Sequence, residues 1–202
     1  MKVRMRLGLL LMLCCVAGLA LALPVWRADA QRGEAARNIT GTVVGVGGRF
    51  GGRSYPFRLI IERYTSDEEV RRLNAAMESG GQDGLLRAIR DMRAGRIQVG
   101  TGVGLEANVI LPLPKEGGGS KLVVLFERNI NFYEVRRGTR SQDYRFGYAE
   151  LHMEPRGAGE GTFIPAAKVR LRDGNTWEVE DFGVFPARLM GLQQRGGGRG
   201  PR

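Results

Sequence analysis

Apolar and polar side chains alternate with a two-residue period along most of this chain. In SYPFRLIIERY, Tyr55, Phe57, Leu59 and Ile61 fall on one face, and the period recurs in GLEANVILPL, YAELHME and GTFIPAAKVRLR. Successive residues of a strand point to opposite faces, so this pattern predicts half-buried strands. KLVVLFE is apolar at consecutive positions and predicts a strand buried on both faces. Asp173-Gly174-Asn175 predicts a hairpin turn, and a final strand is expected over 186–192.

One segment has helical spacing instead. TSDEEVRRLNAAMESGGQDGLLRAIRDM places apolar residues three and four positions apart, in two stripes separated by Gly80-Gly81. Ser66 followed by Glu69 is typical of a capping box at a helix N-terminus. The segment therefore predicts a helical hairpin over about residues 66–93.

These elements together predict the fold class. Eight or nine short strands with one inserted helical hairpin indicate an α+β fold that is mostly antiparallel β, as a barrel or as a two-sheet sandwich. The spacing does not choose between these two. The apolar stripes of the hairpin are expected to cover a sheet face or a barrel mouth, and residues 31–192 are expected to form a single domain.

The N-terminus carries an export pattern. Three basic residues precede the run LGLLLMLCCVAGLALAL, and Ala28-Asp29-Ala30 supplies a small-x-small cleavage site. Residues 1–30 are therefore predicted to be a signal peptide, and the mature chain is expected in the periplasm or outside the cell. The alternative is an uncleaved anchor, since Leu7 to Leu23 approaches the roughly 17 to 25 residues of a membrane span. Both cysteines lie in the signal, so the mature chain would have no disulfide.

The chain is basic, with a formal net charge of +10 at pH 7. Residues 193–202 are low in apolar side chains and are predicted to be a disordered Arg/Gly tail. Guanidinium groups bind phosphate and carboxylate well, so exposed arginines of the loop RRGTRSQD and of the tail are candidate anion ligands. These are Arg136, Arg137, Arg140, Arg195 and Arg199. Export argues against intracellular nucleic acid as a partner and favours anionic envelope polymers or phospholipid headgroups.

The sequence contains few of the motifs that are typical of catalytic sites. The Gly-rich runs do not match the Rossmann or P-loop order, and no Gly-x-Ser-x-Gly elbow accompanies the single histidine. Glu150, His152 and Glu154 share one strand face, which would allow a divalent metal site, although alternation favours a solvated polar face. No cofactor is predicted.

These observations favour a non-enzymatic binding domain over an enzyme that uses His152. We expect it to bind a small or lipid-like ligand in a β-barrel or sandwich crevice, with the helical hairpin as a cover. The expected lining from the hairpin is Val70, Leu73, Leu85 and Ile89. The alternative is an envelope interaction protein that binds anionic polymers or headgroups through the arginine-rich loop and tail.

Three segments also carry a family resemblance. RYTSDEEVRRLNAAMESGGQDGLLRAIRDMRAGRI, GTRSQDYRFGYAEL and VEDFGVFPARL resemble a group of exported bacterial proteins that share a helical insert and have no assigned activity. The resemblance covers about residues 38–192 and implies export and a single β-rich domain. The Gly-x-Trp signature of lipocalins is absent from the first strand.

Overall fold

The computed structural model describes residues 37–47, 51–128, 143–172 and 176–195. They lie within one compact unit, Glu34–Arg202. Several predicted features fall outside the described residues: the signal peptide, Arg136, Arg137, Arg140, Arg199 and the turn at 173–175. No helix in the described ranges combines the length and the apolar character that a membrane span requires.

The described residues form ten strands and one helical element. The helix α1 spans Asp67–Ile89 and lies between β2 and β3. The strands are β1 Arg37–Gly45, β2 Ser54–Ile61, β3 Gly95–Val99, β4 Leu105–Ala107, β5 Val109–Pro114, β6 Ser120–Glu127, β7 Phe146–Met153, β8 Ala158–Arg172, β9 Thr176–Phe182 and β10 Ala187–Arg195.

All strands pair antiparallel in one sheet that is nearly closed. The order is β4-β3-β2-β1-β10-β8-β7-β6-β5, and β9 pairs with β8 outside this order. The two terminal strands of the order, β4 and β5, are consecutive in the chain and are separated only by Asn108. The sheet therefore curls into a barrel-like shape, which confirms the predicted α+β class with mostly antiparallel strands.

One apolar core fills the inside of the barrel. Phe57, Leu59 and Ile61 of β2 belong to it, which confirms the face predicted from alternation. Leu151 and Met153 of β7 also point inward. The inner face of the sheet is therefore held by the burial of alternating side chains from most of its strands.

A second core lies between α1 and the outer face of the sheet. Leu85 and Ile89 of the helix pack with Val123 and Leu125 of β6 in this cluster. The intervening β6 residues, Leu122, Val124 and Phe126, belong to the inner core. The run KLVVLFE is thus buried on both faces, as predicted, because the helix covers the outside of β6.

The helical element is broken at Gly81, which has φ 56° and ψ −145°. Glycine tolerates this left-handed φ because it lacks a Cβ. A Cβ added at Gly84 would collide with the carbonyl oxygen of Ala76. In a continuous helix these residues would be about 12 Å apart along the axis, so the chain turns back at the break. The side chain of Gln82 anchors the bend by hydrogen bonding to the backbone of Val169.

Two details of the strand prediction were wrong. The alternation in GLEANVILPL predicts that Leu105, Ala107, Val109 and Leu111 share one face, but Ala107 lies in the inner core and Val109 in the outer one. The reason is Asn108, which ends β4 and shifts the side-chain alternation before β5 begins. The predicted tail also starts too early: β10 continues to Arg195, and Gln193 pairs with Thr40.

The N-terminus of α1 is fixed by the predicted capping box. The Glu69 backbone N–H donates to Ser66 Oγ at 3.3 Å, and the Ser66 N–H donates to the Glu69 carboxylate at 2.9 Å. Arg63 also donates two hydrogen bonds to this carboxylate, at 2.8 and 2.9 Å. The Arg63 hydrogen bonds lower the pKa of Glu69 to about 2, against a smaller opposing effect of burial and with help from Ser66.

Glu69→Gln should therefore destabilise the protein in a pH-dependent way. The depressed pKa stabilises the fold above the ordinary carboxyl pKa of 4.5, and this contribution disappears as the pH falls to about 2. The pair is partly exposed, so we expect a loss of about 1–2 kcal/mol at neutral pH and almost none near pH 2. Urea unfolding at both pH values measures the difference.

Glu68→Gln is the matched control, because it removes a carboxylate from the same first turn without touching Arg63. An equal cost of Glu69→Gln at both pH values would contradict the role of the Arg63 pair.

Candidate functional site

Five strands bring their ends together at one end of the barrel. The end of β1 pairs with the start of β2 at Val44 and Ser54 and with the start of β10 at Gly45 and Ala187. Val99 at the end of β3 pairs with Phe57 near the start of β2, and the following loop leads to the start of β4. We call this end the mouth. Three of its loops are described at least in part, by residues 46–47 with 51–53, 100–104 and 183–186, and we call these the three mouth loops.

A cavity of about 310 Å³ opens in the mouth. We call it the first cavity. Eleven residues line it, and none of them is charged. The main contributors are Val43, Tyr55, Val99, Phe163 and Phe185. Among the described lining residues Tyr55 alone carries a polar side chain, so the first cavity suits an apolar group with a single hydrogen-bonding function.

A second cavity of about 310 Å³ lies beside the first. It includes Val103 and Leu105 of the β3–β4 region, and it shares Val99 and Phe163 with the first cavity. The ring of Phe163 stacks on Phe126, with centroids 6.2 Å apart and an interplanar angle of 15°. The shared wall between the two cavities is therefore aromatic and rests on the inner core.

The wall depends on a glycine in the neighbouring strand. Phe126 of β6 lies opposite Gly147 of β7, and its ring occupies the space that a Cβ at Gly147 would need. Phe126 is only 2% exposed. Glycine at this position thus lets the Phe126 ring lie flat across β7 and support Phe163.

The hairpin residues that the sequence predicted as ligand contacts lie elsewhere. Leu73, Leu85 and Ile89 are fully buried in the second core, on the outer face of the sheet. Val70 is half-buried on the same helix. The side chains of these helix residues pack against side chains of the sheet, and that surface is therefore not available to a ligand. In the described part of the chain, the hairpin therefore covers the outside of the barrel and not the first or second cavity.

Of the predicted anion ligands, the structure describes Arg195 alone. It ends β10 and pairs with Asn38 at the start of β1, which is the end of the barrel opposite the mouth. Glu127 and Phe146, at the ends of the strands that flank the arginine-rich loop, lie at the mouth end. Arg195 is thus far from the attachment points of that loop, and anion binding by the other arginines stays a prediction.

The outer face of β7 carries a polar network centred on Glu150. Its carboxylate accepts hydrogen bonds from Tyr148 Oη at 2.9 Å and contacts Lys121 Nζ and His152 Nε2, each at 2.9 Å. Partial burial opposes ionisation of Glu150, but the bonds from Lys121 and Tyr148 and the interaction with His152 outweigh it and lower its pKa. Burial, followed by the Glu150 charge, raises the pKa of Tyr148.

This network does not bring together the three residues of the Glu-His-Glu metal site that the strand spacing would allow. Glu154 pairs instead with Lys115 at 2.8 Å, and this hydrogen bond lowers its pKa. Within the described residues no group of three His, Cys, Asp or Glu side chains could hold a metal ion. Glu150 and His152 are thus members of a satisfied polar cluster, as alternation favoured.

Sequence reasoning missed the cavity residues, although the chain holds a signal for them. The segments GVGG, GTGVG and FGVFP each place apolar side chains inside Gly-rich turns, where polar residues are usual. In the structure these turns supply Val46, Val103 and Phe185 to the mouth.

Comparison of the chain with protein-family models, curated proteins and solved structures finds no match.

Proposed function

We propose that this protein is a non-enzymatic, exported binding domain that holds a small apolar or lipid-like ligand in the mouth of its barrel. The observation that carries the proposal is the first cavity, about 310 Å³ in volume, whose described lining residues include no charged side chain. Ligand sites in proteins are concave and mostly apolar, with a few polar groups that orient the ligand, and Tyr55 offers such a group.

The lining determines the kind of ligand. A charged group inside the first cavity would lose its hydration without gaining an ion pair, which is costly. An apolar chain or ring would gain free energy from leaving water. The ligand is therefore one whose apolar part enters the cavity and whose polar part, if it has one, stays at the opening.

The second cavity favours an elongated ligand. Because Val99 and Phe163 border both cavities, a flexible apolar chain bound in the first could extend over this shared wall into the second. Binding should then strengthen with chain length within a series of primary alcohols.

Titration of the full chain with the neutral fluorescent probe N-phenyl-1-naphthylamine, followed by displacement with short and long alcohols, tests the proposal. Val184→Trp places a large ring in the lining of the first cavity from a loop, and it should weaken probe binding by about tenfold or more. Leu113→Trp is the matched control, since Leu113 is an exposed apolar residue on β5, toward the opposite end.

Circular dichroism spectra establish that both variants fold. If folded Val184→Trp binds the probe as tightly as the unchanged protein, the first cavity is not the binding site. If both variants weaken binding equally, the probe is reporting a non-specific surface.

A further inference from the structure

Exposed apolar side chains are concentrated at the mouth. Seven large hydrophobic residues are exposed in the described part of the chain, and five of them lie in or beside the mouth loops. These five are Val46, Val103, Leu105, Phe182 and Phe185, and we call them the apolar rim. The side chains of Val103, Phe185 and Val46 are 85%, 62% and 63% exposed. An apolar patch of this kind, at one end of the molecule, is typical of an interaction surface.

The aromatic members of the rim lie together. The rings of Phe182 and Phe185 are 6.4 Å apart at an interplanar angle of 48°. Phe185 also lines the first cavity. The apolar rim is therefore continuous with the cavity lining, and a ligand entering the first cavity would pass the rim.

The charge within the described mouth loops is basic. The described residues of the three mouth loops contain no acidic side chain, and Arg53 is their one charged residue. Arg188 lies opposite Val44, beside the end of β1. Both arginines are exposed, and neither forms an ion pair with the described residues.

Acidic residues on the adjoining strands are partly engaged. Glu106 of β4 lies 3.4 Å from Arg96, and Asp181 of β9 accepts a hydrogen bond from Tyr144 Oη at 2.6 Å. Glu180 remains exposed on β9. The described loop tips themselves thus carry positive charge only, in Arg53, whereas the acidic residues lie on the adjoining strands β4 and β9.

We propose that the mouth docks on the surface of a lipid bilayer that contains anionic lipid. Apolar side chains at loop tips insert at the boundary between headgroups and acyl chains, and Arg53 and Arg188 contact anionic headgroups. The arrangement favours a bilayer over a protein partner because four of the five rim residues also line the first or the second cavity, where a lipid-like ligand could pass without crossing water. In naming the source of the ligand, this inference rests on the proposed function.

Sedimentation of the full chain with vesicles tests this proposal. One set of vesicles contains phosphatidylcholine alone, and the other contains phosphatidylcholine with phosphatidylglycerol. The protein should bind the anionic vesicles more tightly, and added salt should weaken this preference. The double variant Val103→Asp with Phe182→Asp should bind the anionic vesicles about tenfold more weakly or worse.

The control is Leu113→Asp with Met190→Asp, which adds the same charge at the two exposed apolar residues outside the rim. It should retain more binding than the rim variant. Equal binding by the two double variants, or no binding of the unchanged protein to either kind of vesicle, would overturn the proposal. A rim variant that instead converts a dimer to a monomer in analytical ultracentrifugation, with no vesicle binding by the unchanged chain, would assign the rim to a second copy of this protein.

The two proposals can fail separately. The vesicles carry no probe, and the probe titration contains no vesicles. A chain that binds the probe but not vesicles keeps the proposed function and loses the docking surface.

Discussion

Asn108→Ala should lower the free energy of unfolding by about 3–5 kcal/mol, because it removes three hydrogen bonds, two to carbonyls of buried residues and one from a half-buried N–H. The Asn108 side chain is 5% exposed. Its amide nitrogen donates to the carbonyls of Ile89 and Met92, at 3.1 and 3.0 Å. Its amide oxygen accepts a bond from the Glu127 N–H at 2.8 Å.

Because of the position of Asn108, the loss of its hydrogen bonds would affect several elements of the fold. It separates β4 from β5, the two strands that bring the ends of the sheet order together. Its three bonds also connect this junction between β4 and β5 to the end of α1 and to the end of β6. Without these bonds the junction would no longer be held to the helix and to β6 through Asn108, so urea unfolding should shift to lower denaturant concentration.

Asn38→Ala is the matched control. Asn38 lies in β1, and its side-chain oxygen is buried without a hydrogen-bond partner. Its replacement should cost less than about 1 kcal/mol or stabilise the protein slightly, because no bond is lost. Similar costs for the two substitutions would show that Asn108 acts only by filling space.

The parts of this fold that alternation predicts are those that depend on local sequence. In β2 and β7 the apolar residues that share a face in the sequence do enter the inner core. The run in β6 is buried on both sides. The break at Gly81 and the capping box at Ser66 also follow from residue types with strong backbone or side-chain preferences.

Closure of the sheet was not predictable in the same way. Two-residue spacing predicts each strand but not the strand with which it pairs. It therefore does not decide between a barrel and a sandwich. The deciding residue, Asn108, lies within an apparently regular alternation. Its importance comes from contacts with Ile89, Met92 and Glu127, which lie 19, 16 and 19 positions away in the chain.

The candidate site was missed for a related reason. The first cavity combines residues from β1, β2, β3, β8 and the loop before β10, and no single segment contains its pattern. The hairpin had the clearest local signal and was therefore expected to line the site. A helix can bury its stripe against either face of a sheet, and here it packs on the outside.

Gly147→Ala should lower the free energy of unfolding by about 2–3 kcal/mol, because the added Cβ would lie within the space of the Phe126 ring. The ring cannot move outward easily, since Phe126 is part of the inner core and stacks on Phe163. Displacing it would shift Phe163, which borders both cavities. Probe binding should weaken together with stability.

A double-mutant cycle with Phe126→Leu separates this effect from the general cost of alanine in a strand. Leucine lacks the ring atoms that meet the new Cβ, so Gly147→Ala should cost at least about 1 kcal/mol less in that background. Urea unfolding of the four proteins gives the coupling energy. Equal costs in both backgrounds would mean that the Phe126 ring does not depend on the space above Gly147. A clear coupling would show that the Phe126 ring needs the space left by the missing Cβ at Gly147 in order to pack beneath Phe163.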